Sequence, residues 1–435
     1  MAVSPTTAED AGTAMRELTR FESPSMSVTI ENDIGLIVSH ADGPYLWDRD
    51  GRRYLDLTAG SGVHALGHGD PGLLTAMAEQ LHSFAHGGWQ LGCPARAELS
   101  GRLAELLPWP DPVLLYCTTG SEAVEGALKV ARAATGRRQI LGFLGGYHGK
   151  TGGSLAVTAN SSLRRDVTEL PTAAMSLPYP SAGGYLTAEA VPSGAEFAWG
   201  QEILEHPDFG LDDVAALVVE PVQGAGGMLA ASPGWLAHLR EFTRKHGILL
   251  VLDEIYTGFG RTGSMFGFQH DGVVPDLVVL GKALGGGLPV SLVAGPRAVM
   301  KRIAPLRQTS TFSANPVACA AGNYVVRRVV EDDLSRRAAE TGDALAAALA
   351  ALRIPGIEIT LCGRGLMLGA RVHTTGGAGF VKAVVARMRE LGVLVLRGGP
   401  DGEVVKLTPP LTLPADAATA AIEAFAKAIR DELTR

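Results

Sequence analysis

Two charged residues stand at the ends of apolar runs in this chain, where charge is costly. Asp253 closes GILLVLD (247–253). A carboxylate behind such a run needs a partner, because an unpaired buried charge is strongly unfavourable. Lys282 follows DLVVLG (276–281) and precedes ALGGGLP (283–289), so its ammonium is confined between a buried strand and a glycine-rich turn. Desolvation lowers a lysine pKa, and a neutral amine attacks a carbonyl to give a Schiff base. Taken singly, a helix cap or ion pair accounts for Asp253, and a lysine snorkelling from a strand end accounts for Lys282.

TTGSEA (118–123) lies between an apolar run and a helical stretch. Gly120 and Ser121 there offer backbone N–H groups and a hydroxyl at a helix start, which suits a phosphate. A plain cap, Ser121 with Glu122 in the first turn, is the simpler reading of that segment alone. Tyr147-His148-Gly149 follows a glycine pair, so Tyr147 can present its ring to a flat ligand or pack in its loop. Together the four features suit one flat, phosphorylated, carbonyl-bearing cofactor, pyridoxal 5′-phosphate (PLP). It needs a lysine for the imine, an acid for the ring nitrogen, an anion site and a stacking ring.

Other motifs fall short. LGGYHGKT (144–151) resembles a phosphate loop, but Leu144 occupies the first glycine position, and GRGLMLG (363–369) is not GxGxxG. No GxSxG occurs. His82 and His86 share a helix face with no third ligand nearby, which reads as an ordinary helix face, so no metal is expected.

These residues must be held by a scaffold, and the chain is large enough to build one. It has 435 residues, 46% apolar and 19% charged, which supports a sizeable core and two domains. A net charge of −7 argues against broad electrostatic binding of nucleic acid or an anionic membrane. Cys93, Cys117, Cys319 and Cys362 are widely spaced, so a reducing compartment is expected. The first 25 residues contain acids and no apolar core, unlike a signal peptide, and no apolar stretch reaches the roughly 20 residues that span a bilayer. A cytoplasmic protein is the simplest expectation.

Short apolar runs at 113–118, 139–143, 215–221, 247–254, 276–282 and 291–295 alternate with helical stretches. This predicts an α/β fold with a mainly parallel sheet sandwiched by helices. Short strands around the Asp50-Gly51 turn precede it, with helices at 71–86 and 95–107. A single long helix over about 316–350 leads to strands at 357–361, 366–372, 393–397 and 404–408, with helices at 379–391 and from Pro414. The expected division is a flexible arm (1–25), an N-terminal segment joining a smaller domain (26–65), a large cofactor-binding domain (66–325) and a C-terminal α+β domain (326–435).

From about Gly35 onward the chain resembles a class III, ω-amino acid type aminotransferase of the aspartate aminotransferase superfamily, fold type I. The most specific stretches are LLVLDEIYTGFGRTG and PDLVVLGKALGGGLP. They are supported, in the family's order, by TTGSEAVEGALKVARAATGR, GYHGKT, VVEPVQGAGG, STFSANPVACAA and GRGLMLG. The resemblance implies that Lys282 carries PLP as a Schiff base and moves the proton, and that Asp253 pairs with the ring nitrogen. It implies that Ile255 and Tyr147 cover the two ring faces. Gln223 would contact the ring hydroxyl with Glu220 in support, and Gly120 and Ser121 would hold the phosphate. Thr311 would reach the phosphate of a neighbouring subunit, implying a homodimer with shared sites.

Two departures concern substrate. Ala225 stands where many relatives have Glu, and Lys406, in VVKLTPPL, where they have Arg. A forked carboxylate clamp is therefore not given, since lysine is a point charge. Trp89 and His64 lie where the family draws pocket residues. The resemblance implies transfer of an amino group from an ω-amino acid, diamine or related primary amine to a 2-oxo acid such as pyruvate or 2-oxoglutarate. A racemase, decarboxylase or aminomutase on the same scaffold is the alternative, and a non-catalytic cofactor-binding regulator is a third.

Overall fold

The computed structural model describes residues 9–29, 34–165, 167, 169–170, 174–181, 184–187 and 198–435. The apolar runs form the centre. In spatial order the main sheet is Pro112–Cys117, Ser291–Pro296, Leu277–Leu280, Leu249–Asp253, Val214–Val219, Gln139–Phe143 and Ala174–Leu177. Ser291–Pro296 runs antiparallel to both neighbours, and the other pairings are parallel. Every residue of Val214–Val219 and of Leu277–Leu280 is buried. This is what a sheet covered on both faces requires.

The strand period of two assigns side chains to the two faces. Leu250 and Leu252 pack in the cluster that holds Trp235, Leu236 and Leu239 of the helix Trp235–His246. Val251 points the other way, into the cluster with Val124, Ala127 and Leu128 of the helix Gly120–Thr135. The helices therefore sandwich the sheet. Ala174–Leu177 is an edge strand that is half exposed, so its sequence carries little apolar pattern to announce it.

Beside a two-stranded ribbon of Val222–Gln223 and Leu229–Ala230, sheets of four and five strands flank this body. Val38–Asp42, Tyr45–Asp48 and Arg53–Asp56 are joined by Val393–Leu394, which pairs parallel to Arg53–Asp56 and ties the N-terminal strands to the C-terminal segment. Leu396–Gly398, Val404–Leu407, Met367–His373 and Glu358–Arg364 form the second, with Tyr185–Leu186 added at its edge. The helix Glu9–Phe21 lies in the stretch read as an arm, and a second, Pro24–Thr29, crosses its expected end at residue 25.

The long helix expected over 316–350 is two helices, Pro316–Glu331 and Leu334–Ala350. The break falls at Asp332-Asp333, where Asp333 is left-handed at φ 49°. Aspartate is a poor helix former and visits that conformation more readily than most residues. Each also binds an arginine: Arg328 Nε lies 2.5 Å from Asp332 Oδ2, and Arg336 Nε 2.7 Å from Asp333 Oδ2.

Candidate active site

A cavity of about 420 Å³ opens at the carboxyl ends of the parallel strands, and it is lined by Gly120, Ser121, Tyr147, Glu220, Asp253, Ile255, Lys282 and Lys406. Asp253 ends one strand, and Glu220 directly follows another. Lys282 follows a third after Gly281, and Tyr147 follows Gln139–Phe143 by a short loop. Open α/β sheets place ligands at this edge because the loops there leave the backbone free to reach them.

Asp253 is 3% exposed and is partnered, as its burial demands. Its Oδ2 lies 2.8 Å from His148 Nδ1, and its Oδ1 accepts from the Ile255 N–H at 3.1 Å. Burial pushes the His148 pKa down, but the hydrogen bond and the charges of Asp253 and Glu220 outweigh it and leave it above the ordinary value. Glu220 accepts from the Tyr147 N–H at 2.8 Å and the Gly224 N–H at 3.2 Å. Burial nevertheless pushes its carboxyl up to about 7, with the charge of Asp253 adding to the rise and that of His148 opposing it.

Lys282 has φ 45°, a left-handed conformation that non-glycine residues adopt at a cost of about 1–3 kcal/mol and mostly at functional sites. Its Nζ sits 3.3 Å from the centre of the Tyr256 ring. Burial pushes its amine down to about 7; Glu220 and Asp253 oppose the fall, and Lys406 and Arg261 add to it. Near neutral pH a large fraction is thus the nucleophilic neutral amine.

The cap of the helix Gly120–Thr135 is Thr119, not Ser121. The Thr119 side chain accepts from the Glu122 N–H at 3.2 Å, while Glu122 Oε2 accepts from the Thr118 N–H at 2.8 Å. Ser121 is therefore free of capping and takes only the Lys150 N–H, at 3.3 Å. Gly149 closes against it: a Cβ there would lie 2.3 Å from Ser121 Oγ and 2.5 Å from Ser154 Oγ. A helix start with uncommitted N–H groups beside a close-packed glycine has the donors that a phosphate needs. Ile255 presses on it, since a Cβ at Gly120 would lie 2.9 Å from Ile255 Cδ1.

Other expected residues lie elsewhere. Gln223 does not line the cavity; its Nε2 donates to the Leu144 carbonyl at 3.0 Å, and its buried Oε1 lies under Gly145 and Gly226. Thr311 is exposed and does not line the cavity. Trp89 is half-buried, and its carbonyl accepts from Arg96 at 2.9 Å. His64 packs against His68 with the rings tilted at 44° and their centres 4.2 Å apart, outside the cavity lining. Lys406 does line the cavity, with its stem against Gly398.

Sequence reasoning assigned no role to His148, Tyr256 or Ser61. His148 sat inside the quoted GYHGKT stretch, and Tyr256 directly follows Ile255. Ser61 had no signal, because the backbone places it. Ala59, Gly60, Ser61 and Gly62 are successive left-handed residues at φ 45°, 60°, 64° and 82°, a reversed turn that brings Ser61 to the cavity wall.

A buried amine of lowered pKa, a buried acid and a helix start with free N–H groups around one cavity of this sheet fit the needs of PLP. Comparison with known proteins narrows the class. The family model described as Aminotransferase class-III matches residues 27–429. The chain is 34% identical to the 2-aminoadipate transaminase of Pseudomonas putida, over 91% of this chain and 95% of that protein. It is 37% identical to the acetylornithine aminotransferase of Mycolicibacterium smegmatis, over 89% and 91%. A solved amine transaminase from an uncultivated Pseudomonas species, in PLP-bound form, superposes with a TM-score of 0.83 at 30% identity, covering 91% of this chain and 95% of that one. The chain belongs to the class III aminotransferases. It is a fold type I, PLP-dependent transaminase that takes an amine donor and a 2-oxo acid acceptor. Among the described residues, no helix is long and apolar enough to cross a membrane.

Proposed function

We propose that Lys282 and Asp253 carry the chemistry and that the donor bears a primary or distal amino group. The observation that carries this reading is that both residues face one cavity with the Gly120-Ser121 helix start and Lys406. Bound PLP supplies an aldehyde carbon for amines and a ring that draws electron density from an adjoining carbanion. Lys282 Nζ, with a large neutral fraction near pH 7, would take the proton from the donor's Cα and return it to the cofactor's former aldehyde carbon. Asp253, held by His148, keeps a proton on the ring nitrogen. Gly120 and Ser121 grip the phosphate, Tyr147 and Ile255 cover the ring faces, and Glu220 fixes the Tyr147 backbone. Gln223 remains the candidate for the ring hydroxyl, from a place beside the cavity rather than in its lining.

The relative named for acetylornithine favours a donor that carries a carboxylate besides its reacting amine. The same reading makes the enzyme a cytoplasmic homodimer in which Thr311, exposed here, serves the partner's phosphate. It divides the chain into segments 1–25, 26–65, 66–325 and 326–435. All four cysteines are free, which supports a reducing compartment. Screening ω-amino acids, diamines and simple amines against pyruvate and 2-oxoglutarate tests the donor class. Turnover confined to α-amino groups overturns it.

A further inference from the structure

Tyr256 is built into the cavity by three separate segments. A Cβ at Gly62 would lie 2.3 Å from its Cε2, and one at Gly224 would lie 2.4 Å from its Cδ1, so two glycines admit opposite edges of the ring. Its hydroxyl meets Thr408 Oγ1 at 3.3 Å, and Thr408 in turn donates to the Thr58 carbonyl at 3.2 Å. Gly62 ends the left-handed turn, Gly224 follows Glu220, and Thr408 follows the strand Val404–Leu407. The ring is thus fixed in place, and the Lys282 Nζ lies on its face at 3.3 Å from the centre.

We propose that Tyr256 is the positioning residue for the Lys282 amine: its ring face receives the amine when that amine is not bonded to the cofactor, and holds it most strongly once it has taken up a proton. This rests on the reading of Lys282 as the lysine that bonds PLP. An aromatic face attracts a cation through its quadrupole, and more strongly where water is excluded. Such a place is needed, because a donor amine that displaces Lys282 frees a flexible side chain. That side chain must stay within reach of the reacting carbon and must not wander to Glu220. The groups facing the amine are Glu220 and Asp253, which favour its charge, and Lys406 and Arg261, which oppose it. Tyr256 adds attraction without a competing carboxylate that would bind the amine through directed hydrogen bonds.

The test uses the full-length protein freed of cofactor, with pyridoxal phosphate as the probe. The rate of forming the borohydride-reducible adduct is measured against pH, and the adduct is mapped by mass spectrometry. The acid limb of this rate reports protonation of the Lys282 amine. Tyr256→Met keeps an apolar side chain but removes the ring, and its limb is expected to move to lower pH by about 0.5–1.5 units. Tyr256→Phe keeps the ring, so its limb is expected to stay with that of the wild type. Tyr256→Leu serves the same comparison if the Met variant does not fold. An adduct on Lys282 with an unmoved limb in the ring-free variant overturns this proposal alone. An adduct on a different lysine overturns the Lys282 reading and this proposal with it.

Discussion

His148 Nδ1 lies 2.8 Å from Asp253 Oδ2, with the His148 side chain wholly out of water. Its other nitrogen, Nε2, is buried without a partner among the described residues. The histidine thus spends one nitrogen on holding a carboxylate whose other oxygen is held by the Ile255 N–H. The arrangement fixes the acid at the cavity rather than hiding it.

Asp253→Asn is therefore expected to keep the fold and lose at least about 10²-fold in turnover, the scale of a positioned acid–base group. The amide accepts one hydrogen bond as before but cannot hold a proton on a ring nitrogen. Near-normal turnover with full cofactor occupancy would remove Asp253 from this role.

His148→Phe leaves a buried carboxylate oxygen without its donor, at a cost of about 1–3 kcal/mol. A lower denaturant midpoint at unchanged slope is the expected result, with His148→Gln recovering part of it. Equal midpoints for the Phe variant and the wild type would mean that the pair contributes nothing to stability.

The Lys282 amine carries a signature of its own in stability against pH. Its ordinary value is 10.5, and the folded protein holds it near 7. Between these values the unfolded chain binds a proton that the folded chain does not, so stability from this group rises with pH across that window. Below about 7 both forms are protonated and the contribution is flat. Lys282→Met in cofactor-free protein is expected to lose this slope between pH 7 and 10. An identical slope in the variant would place the amine in open solvent.

Much of this was legible in the sequence because burial on both faces writes an unbroken apolar run. GILLVLD and DLVVLG announced both their strands and the charges that end them. Ala174–Leu177 went unread because an edge strand lacks that pattern, and the break at Asp333 because a helix–helix joint needs no proline or glycine. In the site, single residues at strand ends were readable by position. Ser61 and Tyr256 were not, since their placement depends on a left-handed turn and two glycines that meet only in the fold. The cap assigned to Ser121 belongs to Thr119, two residues earlier, and this is what leaves Ser121 available.

Thr311 is exposed and lies beside Phe312, an exposed residue whose ring stacks on that of His86 with centres 5.0 Å apart. If this corner meets a second subunit, Thr311→Ala should weaken cofactor retention while leaving the Lys282 adduct chemistry intact. Sedimentation run alongside assays decides the point, because a fully active monomer excludes a shared site.

Lys406 lines the cavity rather than the outer surface, with its stem across Gly398 and burial lowering its amine below the ordinary value against the pull of Glu220. Ala225, on the same wall, carries no charge to neutralise it. The acid that competes with a substrate for this ammonium is Glu220, which burial pushes up to about 7 and whose oxygens already accept two backbone N–H groups. A substrate carboxylate entering the cavity therefore meets a cation that is only partly offset. One ammonium gripping one carboxylate in a partly wet site is worth about 1–2 kcal/mol, less than a forked arginine. Lys406→Ala is expected to raise the KM for the 2-oxo acid about 5- to 30-fold, the same energy read as an affinity. An uncharged amine donor should be nearly unaffected, because it offers nothing for the ammonium to hold. Lys406→Arg should restore or improve the acceptor's KM. Unchanged kinetics with pyruvate and 2-oxoglutarate in both half-reactions would leave Lys406 with no part in substrate recognition.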